Sequence, residues 1–391
     1  MIVYVFMLAI SILFLVLAQK TEKKKQKILY YVLAGLPFFI VSAFRYNVGT
    51  DYVRRYTYDF STMVKGGEIN NLEIGFKLLL KLIILFTNNP LPVFVISSAI
   101  IVGLVMATIF TKSKNEIISL LIFFIGGFFF DSLNIMRQYI AVSIILFAYR
   151  FLLVKKQKIF YIIAVLLAST FHSTSLIMLG LLFLDKKMIA NIKFVLPAAA
   201  FILLLNTRLF DIIGFFIQNT RFNVYLTGKL SVGDVSIVLI IENILLYLGM
   251  YYIYRKNEKK NLIEKEDILF LNIEAITLLV VVLGSVHILF LRIAFYFSIF
   301  QVLSLPYFIE KLQVGELIED LKNISKNKIG LTKIKAKLKI DLTKIESKVK
   351  IIITVVVICM FTFHFVRTYI IKDTNEVTPY RSVFAKDIEI P

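Results

Sequence analysis

The chain has 391 residues, of which 59% are apolar and 18% are charged, and its mean hydropathy is +0.82. Soluble domains carry roughly 45–50% apolar and about 25% charged residues. A chain this apolar cannot bury its hydrophobic surface in one water-soluble core, so a soluble enzyme and a disordered chain are excluded. One cysteine and three histidines also argue against a disulfide scaffold and a zinc cluster.

The remaining class is an all-α, polytopic membrane protein, with residues 1–391 forming one integral membrane domain. A transmembrane helix needs about 20 apolar residues. Ten apolar runs of spanning or near-spanning length occur in the sequence, at 2–18, 28–44, 91–110, 117–131, 134–154, 192–206, 235–254, 267–284, 287–309 and 351–371. Two short helices expected within 159–184 bring the total to about twelve membrane segments.

Lysine-rich loops predict which side of the membrane each connection faces. Lysine clusters occur at 19–27, 154–158, 255–266 and 310–350, and the positive-inside rule places all four in the cytoplasm. Both termini then lie outside. Within 310–350, apolar residues recur every three or four positions between lysines, which predicts a basic amphipathic helix on the cytoplasmic leaflet.

This topology has two consequences. The outer loop 45–90 contains the segment 74–88, which must leave and return on the same side, so we predict an interfacial helix there. The stretch 159–184 begins and ends inside, which predicts a helix broken near Ser169–Ser175 and pointing outward, with His172 at the break. Such breaks are tolerated where they line a cavity or are buried in protein. A further outer loop is predicted at 207–234.

Arginines are distributed differently from lysines. Nine of the eleven arginines fall outside or in the outer half of a span: Arg45, Arg54, Arg55, Arg137, Arg208, Arg221, Arg292, Arg367 and Arg381. The positive-inside rule treats both residue types alike and does not produce this split. A guanidinium group binds phosphate through a fork of donors, so we predict an outward-facing cavity for a phosphate-rich anion. The alternative is that these arginines pair with outer acids such as Asp51, Asp59 and Glu73.

The segment after the second span, Arg45–Tyr52 with Tyr56, combines a cation, a glycine, an acid and three tyrosines. Tyrosine can stack on a sugar ring and also hydrogen-bond to its hydroxyls, so Tyr46, Tyr52 and Tyr56 are candidate sugar-binding residues. The alternative is an interfacial aromatic belt.

Two residues are candidate general bases for a hydroxyl nucleophile. Histidine side chains can accept a proton from a hydroxyl near neutral pH, which makes His172 one candidate; alternatively, it satisfies the backbone of its own hairpin. Asp51 is the other candidate, or it orients Arg45. No P-loop and no outer pair of acids with the spacing of a metal site is present, so no metal or cofactor is predicted. The lysine loops are explained by the membrane, so nucleic acid is not an expected partner.

Several of these residues resemble a known family. The motif Arg45-Tyr-Asn-Val-Gly-Thr-Asp-Tyr52, with Tyr56, resembles the signature of the EpsG family of bacterial exopolysaccharide proteins, which are Wzy-like repeat-unit polymerases. Weaker similarities follow in the expected order: Arg137–Gln138, Ala168–Ser173, Arg292 with Tyr296–Phe297, and Pro379–Tyr380.

The resemblance implies a polymerase at the outer face of the bacterial plasma membrane that makes exopolysaccharide, capsule or O-antigen. The donor and acceptor would be glycans linked to undecaprenyl diphosphate, and a chain-length regulator and a flippase are candidate partner proteins. Combined with the residue-level analysis, it assigns Arg45, Arg137, Arg292 and Arg221 to the diphosphate and His172 or Asp51 to the base.

Three alternatives remain open at this point. A lipid-linked oligosaccharide flippase would also need cations, but along a path that reaches both sides. A glycosyltransferase using a polyprenyl-phosphate sugar usually carries an acidic motif on its first outer loop, and the motif Arg45–Tyr52 offers only Asp51. A membrane O-acyltransferase would draw its acyl group from the cytoplasmic side.

Overall fold

The computed structural model describes residues 1–70, 72–184, 190–218, 235–317 and 342–384. All regular elements in these ranges are helices. Six helices are long and apolar enough to cross a bilayer, or up to eight spans if each of two bent helix pairs counts as one. The protein is therefore a multi-pass helical membrane protein, as its composition predicts.

The six long helices are α1 (Ile2–Lys20), α2 (Lys24–Ala43), α5 (Leu91–Lys112), α12 (Ile237–Lys259), α13 (Lys265–Gly284) and α16 (Leu342–Phe365). The bent pairs are α6 (Glu116–Ile125) with α7 (Phe128–Asn134), at 49°, and α14 (Ile288–Ser298) with α15 (Gln301–Glu310), at 45°. The shorter helices are α3 (Tyr58–Val64), α4 (Ile74–Ile84), α8 (Met136–Ala148), α9 (Lys158–Phe171), α10 (Ile192–Leu204) and α11 (Asn206–Ile217). Helix α16 continues as a π-helical turn, Val366–Ile371.

One end of the bundle gathers the lysine-rich loops, and we call it the lysine end. Lys311 Nζ lies 2.7 Å from Asp267 Oδ2 there. Lys350 Nζ donates to the Glu310 carbonyl at 2.8 Å. Gln19 donates to Glu116 at 3.0 Å, which ties α1 to α6.

The opposite end gathers the loop after α2, the start of α8 and the C-terminal segment, and we call it the arginine end. Tyr4 donates to the Val377 carbonyl at 2.9 Å. The backbone N–H groups of Gly49 and Thr50 donate to the carbonyls of Glu376 and Asn375, at 3.1 and 3.2 Å. The last described residues therefore fold across the loop that follows α2.

The break predicted near Ser169–Ser175 is confirmed and lies at His172. Helix α9 ends at Phe171, His172 is extended, and a 3-10 helix runs back over Ser173–Phe183. The two halves pack side by side, because Tyr161 donates to the Met178 carbonyl at 2.8 Å. At the lysine end, Lys158 Nζ lies 3.4 Å from the Leu182 carbonyl. The hairpin therefore enters from the lysine end and turns at His172.

Helix α4 falls within the segment predicted as an interfacial helix. Phe76, Leu80 and Ile83 are buried, whereas Leu78 and Leu82 are more than half exposed. Its sidedness agrees with an amphipathic helix, and its position relative to a bilayer stays a prediction. Arg221 and most of the basic segment 310–350 lie outside the described residues, as does the second half of the predicted outer loop 207–234.

Candidate functional site

Three polar side chains from separate elements meet at the arginine end. Arg137 Nη1 lies 2.6 Å from Glu73 Oε2, and His172 Nδ1 lies 3.3 Å from Glu73 Oε1. Glu73 thus holds an arginine with one oxygen and a histidine with the other. All three side chains are between 13% and 18% exposed, so they are largely shielded from solvent yet still reachable.

Local backbone features bring these residues together. Glu73 is the N-cap of α4, Arg137 is in the first turn of α8, and His172 is the extended residue between α9 and the 3-10 helix. Helix α4 packs closely against the end of α9 at Gly75, where an added Cβ would lie 2.4 Å from Thr170 Oγ1 and 2.9 Å from its carbonyl oxygen. Only glycine allows this approach without displacement.

The charge state of Glu73 follows from its two neighbours. Burial opposes ionisation of the carboxyl group, but the contact with His172 and the charge of Arg137 outweigh burial and lower the pKa of Glu73 to about 2. Glu73 is therefore a carboxylate across the physiological range. A carboxylate beside Nδ1 favours the tautomer that carries its proton there, which leaves the Nε2 lone pair free to accept one.

The loop after α2 is fixed against the end of α7 through Asn134. Thr50 Oγ1 and the Asp51 backbone N–H both donate to Asn134 Oδ1, at 2.6 and 3.0 Å. Gly49 adopts φ +98°, and an added Cβ would lie 2.9 Å from the Leu133 carbonyl oxygen. A side chain here would be strained and would push the loop away. This packing places Asp51 beside the start of α8.

Arg45 occupies a different position from the one predicted. Its side chain is fully buried, and its guanidinium group donates to the carbonyls of Ser42 and Leu133 and faces the Phe94 ring at 5.0 Å. This enclosure favours a structural role in which Arg45 fastens the loop to the bundle. Its assignment to the diphosphate stays a prediction.

Two of the three candidate sugar-binding tyrosines are also interior residues. Tyr52 is 5% exposed and stacks on Phe94 with ring centroids 4.1 Å apart. Tyr56 is 2% exposed, and its hydroxyl donates to the Asn134 carbonyl at 3.0 Å. Protein covers both rings, which favours a structural role, and their assignment to sugar binding stays a prediction. Tyr46 is half-buried, and its role stays a prediction.

Asp51 lies among the arginines of this end. Burial raises the pKa of its carboxyl group, while the charges of Arg292, Arg55 and Arg137 lower it, and the net direction is upward. A carboxyl with a raised pKa is a better proton acceptor than an ordinary surface aspartate. The same interactions show that Arg292 and Arg137 both act on the space around Asp51.

A cavity of about 440 Å³ lies between α7, α12, α14 and α16. Its lining includes Asn134 and Ile135, just before the start of α8. Three cationic side chains line it: Arg292, Arg367 and Lys372. Arg367 Nη1 is buried and has no hydrogen-bond partner among the described residues. A buried guanidinium nitrogen without a partner is costly unless a ligand satisfies it.

The cavity and the three-residue cluster share one structural boundary. Asn134 lines the cavity and also holds the loop of Asp51. Helix α8 begins at Met136, two residues after Asn134, and its first turn contains Arg137 and Gln138. Gln138 donates to the Arg292 carbonyl. On its other side, the cavity ends at polar residues in mid-bundle, where Gln301 Nε2 donates to Asn243 and Glu274 at 3.1 Å each.

The sequence-predicted residues thus divide into groups. Arg137, His172, Arg292 and Asp51 lie around one region, Tyr46 is at its edge, and Arg45, Tyr52 and Tyr56 are buried behind it. Sequence reasoning named Glu73 only as an outer acid with which an arginine could pair, and the contact between Arg137 and Glu73 is such a pair. It did not name Lys372 as a site residue, and it counted Arg367 only among the outer arginines. Among the described residues, no group of three His, Cys, Asp or Glu side chains is arranged to hold a metal ion.

These features define a multi-pass helical membrane protein with a basic cavity at one end of its bundle. Residues 28–316 match the EpsG family, and because this is well over half of the chain, the protein belongs to that family. No curated protein and no solved structure matches it. Membership makes it a membrane protein of polysaccharide biosynthesis.

Proposed function

We propose that the protein polymerises oligosaccharide repeat units carried on undecaprenyl diphosphate, at the outer face of the plasma membrane. The acceptor's non-reducing hydroxyl attacks the anomeric carbon of the donor glycan. The bond from that carbon to the diphosphate oxygen breaks, undecaprenyl diphosphate leaves, and the hydroxyl proton passes to a base. Repetition would yield an exopolysaccharide, capsule or O-antigen.

The observation that carries this proposal is the position of the Arg137–Glu73–His172 cluster beside a cavity lined by Arg292, Arg367 and Lys372. Glycosyl transfer from a lipid diphosphate needs two things at once: cations for the leaving group and a base for the nucleophile. The cavity offers the cations and the Arg137–Glu73–His172 cluster offers the base, and Asn134 lies between the two.

The cationic side chains suit the diphosphate. Negative charge grows on the leaving oxygen as the glycosidic bond breaks, and preorganised donors in a shielded site stabilise that charge. Arg292 and Arg367 have the forked donors that bind phosphate in a bidentate way, and Lys372 adds a point charge at the cavity mouth. Arg137, whose Nη1 contacts Glu73, is the further cation that the proposal assigns to the diphosphate.

His172 suits the role of general base. Its Nδ1 faces Glu73, which leaves Nε2 to accept the proton and pass it to solvent afterwards. The carboxylate also stabilises the imidazolium that forms, as a triad carboxylate does. Asp51, whose pKa is raised by burial, is the second candidate. Tyr46, which is partly exposed, is the candidate for contact with an incoming sugar.

The membrane arrangement belongs to the same proposal. Twelve membrane segments, counting the two halves of the His172 hairpin separately, put every lysine cluster inside and the arginine end outside. The donor and acceptor glycans would then approach from outside while their lipid chains stay in the bilayer.

A direct test uses purified protein in lipid nanodiscs with a synthetic undecaprenyl-diphosphate-linked repeat unit. The wild type should give a ladder of polymer on a gel. Arg137→Lys keeps the charge but loses the fork, and it should lower the polymerisation rate about 10²–10³-fold, the usual effect of losing one transition-state donor. Glu73→Gln, which removes the charge beside His172, should fall in the same range.

The matched control is Arg54→Lys at the same end of the bundle. Arg54 is 74% exposed and lies 3.7 Å from Glu376, so this variant should polymerise like the wild type. Full polymer length from Arg137→Lys would contradict the proposal that the guanidinium group of Arg137 binds the diphosphate through two donors. If the wild type moved the lipid across the bilayer without elongating the glycan, the proposed function would be wrong and the protein would be a flippase.

A further inference from the structure

A second space lies on the far side of α12 and α16 from the basic side chains. It is a groove of about 410 Å³ between these two helices. Its walls are almost entirely apolar, formed by Val238, Ile241, Leu245, Val355, Val356 and Phe363, among others. Ile241, Leu245 and Val356 are about half exposed, so the groove is open to its surroundings.

The groove and the basic cavity are lined by the same pair of helices. Helix α12 gives Leu239 and Asn243 to the cavity and Ile241 and Leu245 to the groove. Helix α16 likewise gives Phe361 and His364 to the cavity and Met360 and Phe363 to the groove. Glu242 borders both spaces and is 5% exposed. The two helices thus have the basic cavity on one side and the apolar groove on the other, with Glu242 bordering both.

This pair of spaces fits an amphiphile that has an anionic head and a long apolar chain. We infer that the groove between α12 and α16 is the docking site for the polyprenyl chain of the lipid diphosphate, entering sideways from the bilayer. The inference rests on the proposed function, since it takes its ligand from there. The diphosphate would lie against Arg292 and Arg367, and the first isoprene units would lie along Leu245 and Val356.

The packing of α16 agrees with a lateral entrance. Of the most apolar stretch of the span Glu346–Ile371, only 11% is buried inside the protein, whereas the corresponding share for α13 is 72%. Within a bilayer there is little hydrophobic gain in moving a chain from lipid into a groove, because lipid tails are as apolar as leucine. Preference for the polyprenyl chain would therefore come from van der Waals contacts between its methyl-branched units and the branched side chains that line the groove.

The chain offers a built-in probe of this groove. Cys359 is its only cysteine, is exposed and lines the groove. Benzophenone maleimide attached to Cys359 in nanodiscs should cross-link to radiolabelled undecaprenyl diphosphate on illumination. The control is Val32→Cys in a Cys359→Ala background, because Val32 is 61% exposed on a different helix, α2. The inference is overturned if both positions cross-link equally and ordinary phospholipid displaces the labelled lipid from both. That result would show that Cys359 contacts only the bulk lipid of the bilayer.

A kinetic test separates this inference from the proposed function. Polymerisation is measured with matched repeat units on undecaprenyl diphosphate and on a short, two-isoprene analogue. Leu245→Trp fills the groove, and it should reduce the wild-type preference for the long chain by about tenfold, or roughly 1.4 kcal/mol. Val32→Trp should keep that preference.

The outcomes are distinguishable. If the wild type makes no polymer from either lipid, the proposed function fails. If the wild type polymerises and Leu245→Trp keeps the full long-chain preference, the proposed function stands and the groove assignment is wrong.

Discussion

Glu73 is the residue that turns two separate side chains into one site. Its two oxygens face Arg137 and His172 at 2.6 and 3.3 Å, so a single carboxylate sets both the position of a cation and the tautomer of an imidazole. Removing it would leave a largely buried arginine without its partner, which is costly. Arg45 differs from Arg137, because its guanidinium group donates hydrogen bonds to the backbone carbonyls of Ser42 and Leu133 and not to a carboxylate.

The low pKa of Glu73 predicts how stability depends on pH. Because the folded-state pKa is lowered from 4.5 to about 2, the stabilisation is complete above about pH 4.5 and is lost as the pH falls toward 2. Glu73→Gln should therefore be less stable than the wild type at pH 7, by at most about 3 kcal/mol. The gap should close between pH 4.5 and 2, measured as thermal unfolding of purified protein.

The control for this measurement is Glu68→Gln, an exposed side chain in the same loop, which should follow the wild type at every pH. A constant gap between Glu73→Gln and the wild type down to pH 2 would show that the carboxylate is not held by Arg137 and His172.

At the scale of elements, the site depends on how α4 packs on the His172 hairpin. The hairpin could be foreseen, because 26 residues between two lysine clusters must turn once, and the polar run around His172 marks the turn. The packing of α4 could not, because it depends on a tertiary approach between Gly75 and Thr170 that no local pattern records. The sequence therefore predicted His172 as a site residue but left Glu73 as one acid among several.

Gly75 is the residue that tests this packing. In Gly75→Ala the new Cβ would lie 2.9 Å from the Thr170 carbonyl oxygen, so α4 must move away from α9. Overpacking of this kind costs about 1–3 kcal/mol of unfolding free energy, and the shift of Glu73 should also reduce polymer yield. Gly103→Ala in α5 is the control, since nothing lies within 4 Å of its added Cβ. Equal stability and yield in both variants would contradict the close approach.

At the scale of the whole molecule, the two ends of the bundle differ in their cationic residues: lysine clusters lie at one end and most arginines at the other. The sequence predicts this difference, because it shows which loops are rich in lysine and how far each arginine lies from the end of its apolar span. That reading placed Arg137 and Arg292 at the same end without a structure. It could not tell that Arg45 is buried and Arg367 lines the cavity, because orientation around the bundle is set by packing between distant helices.

Labelling of single cysteines checks the direction of the bundle. In a Cys359→Ala background, Lys65→Cys at the arginine end should react with a membrane-impermeant maleimide in intact cells. Lys156→Cys at the lysine end should react only after the cells are opened. The reverse pattern would invert the topology and place the basic cavity in the cytoplasm.

The C-terminal segment adds a constraint on biogenesis. Gly49 and Thr50 are translated before α5, whereas Asn375 and Glu376, whose carbonyls accept from their backbone N–H groups, are translated after α16. The membrane insertion machinery must therefore release α16 before the site can close. A nascent chain halted anywhere between α2 and α16 would be an inserted bundle with an unlatched loop, so a truncated product would be inactive even when most of its helices are in place.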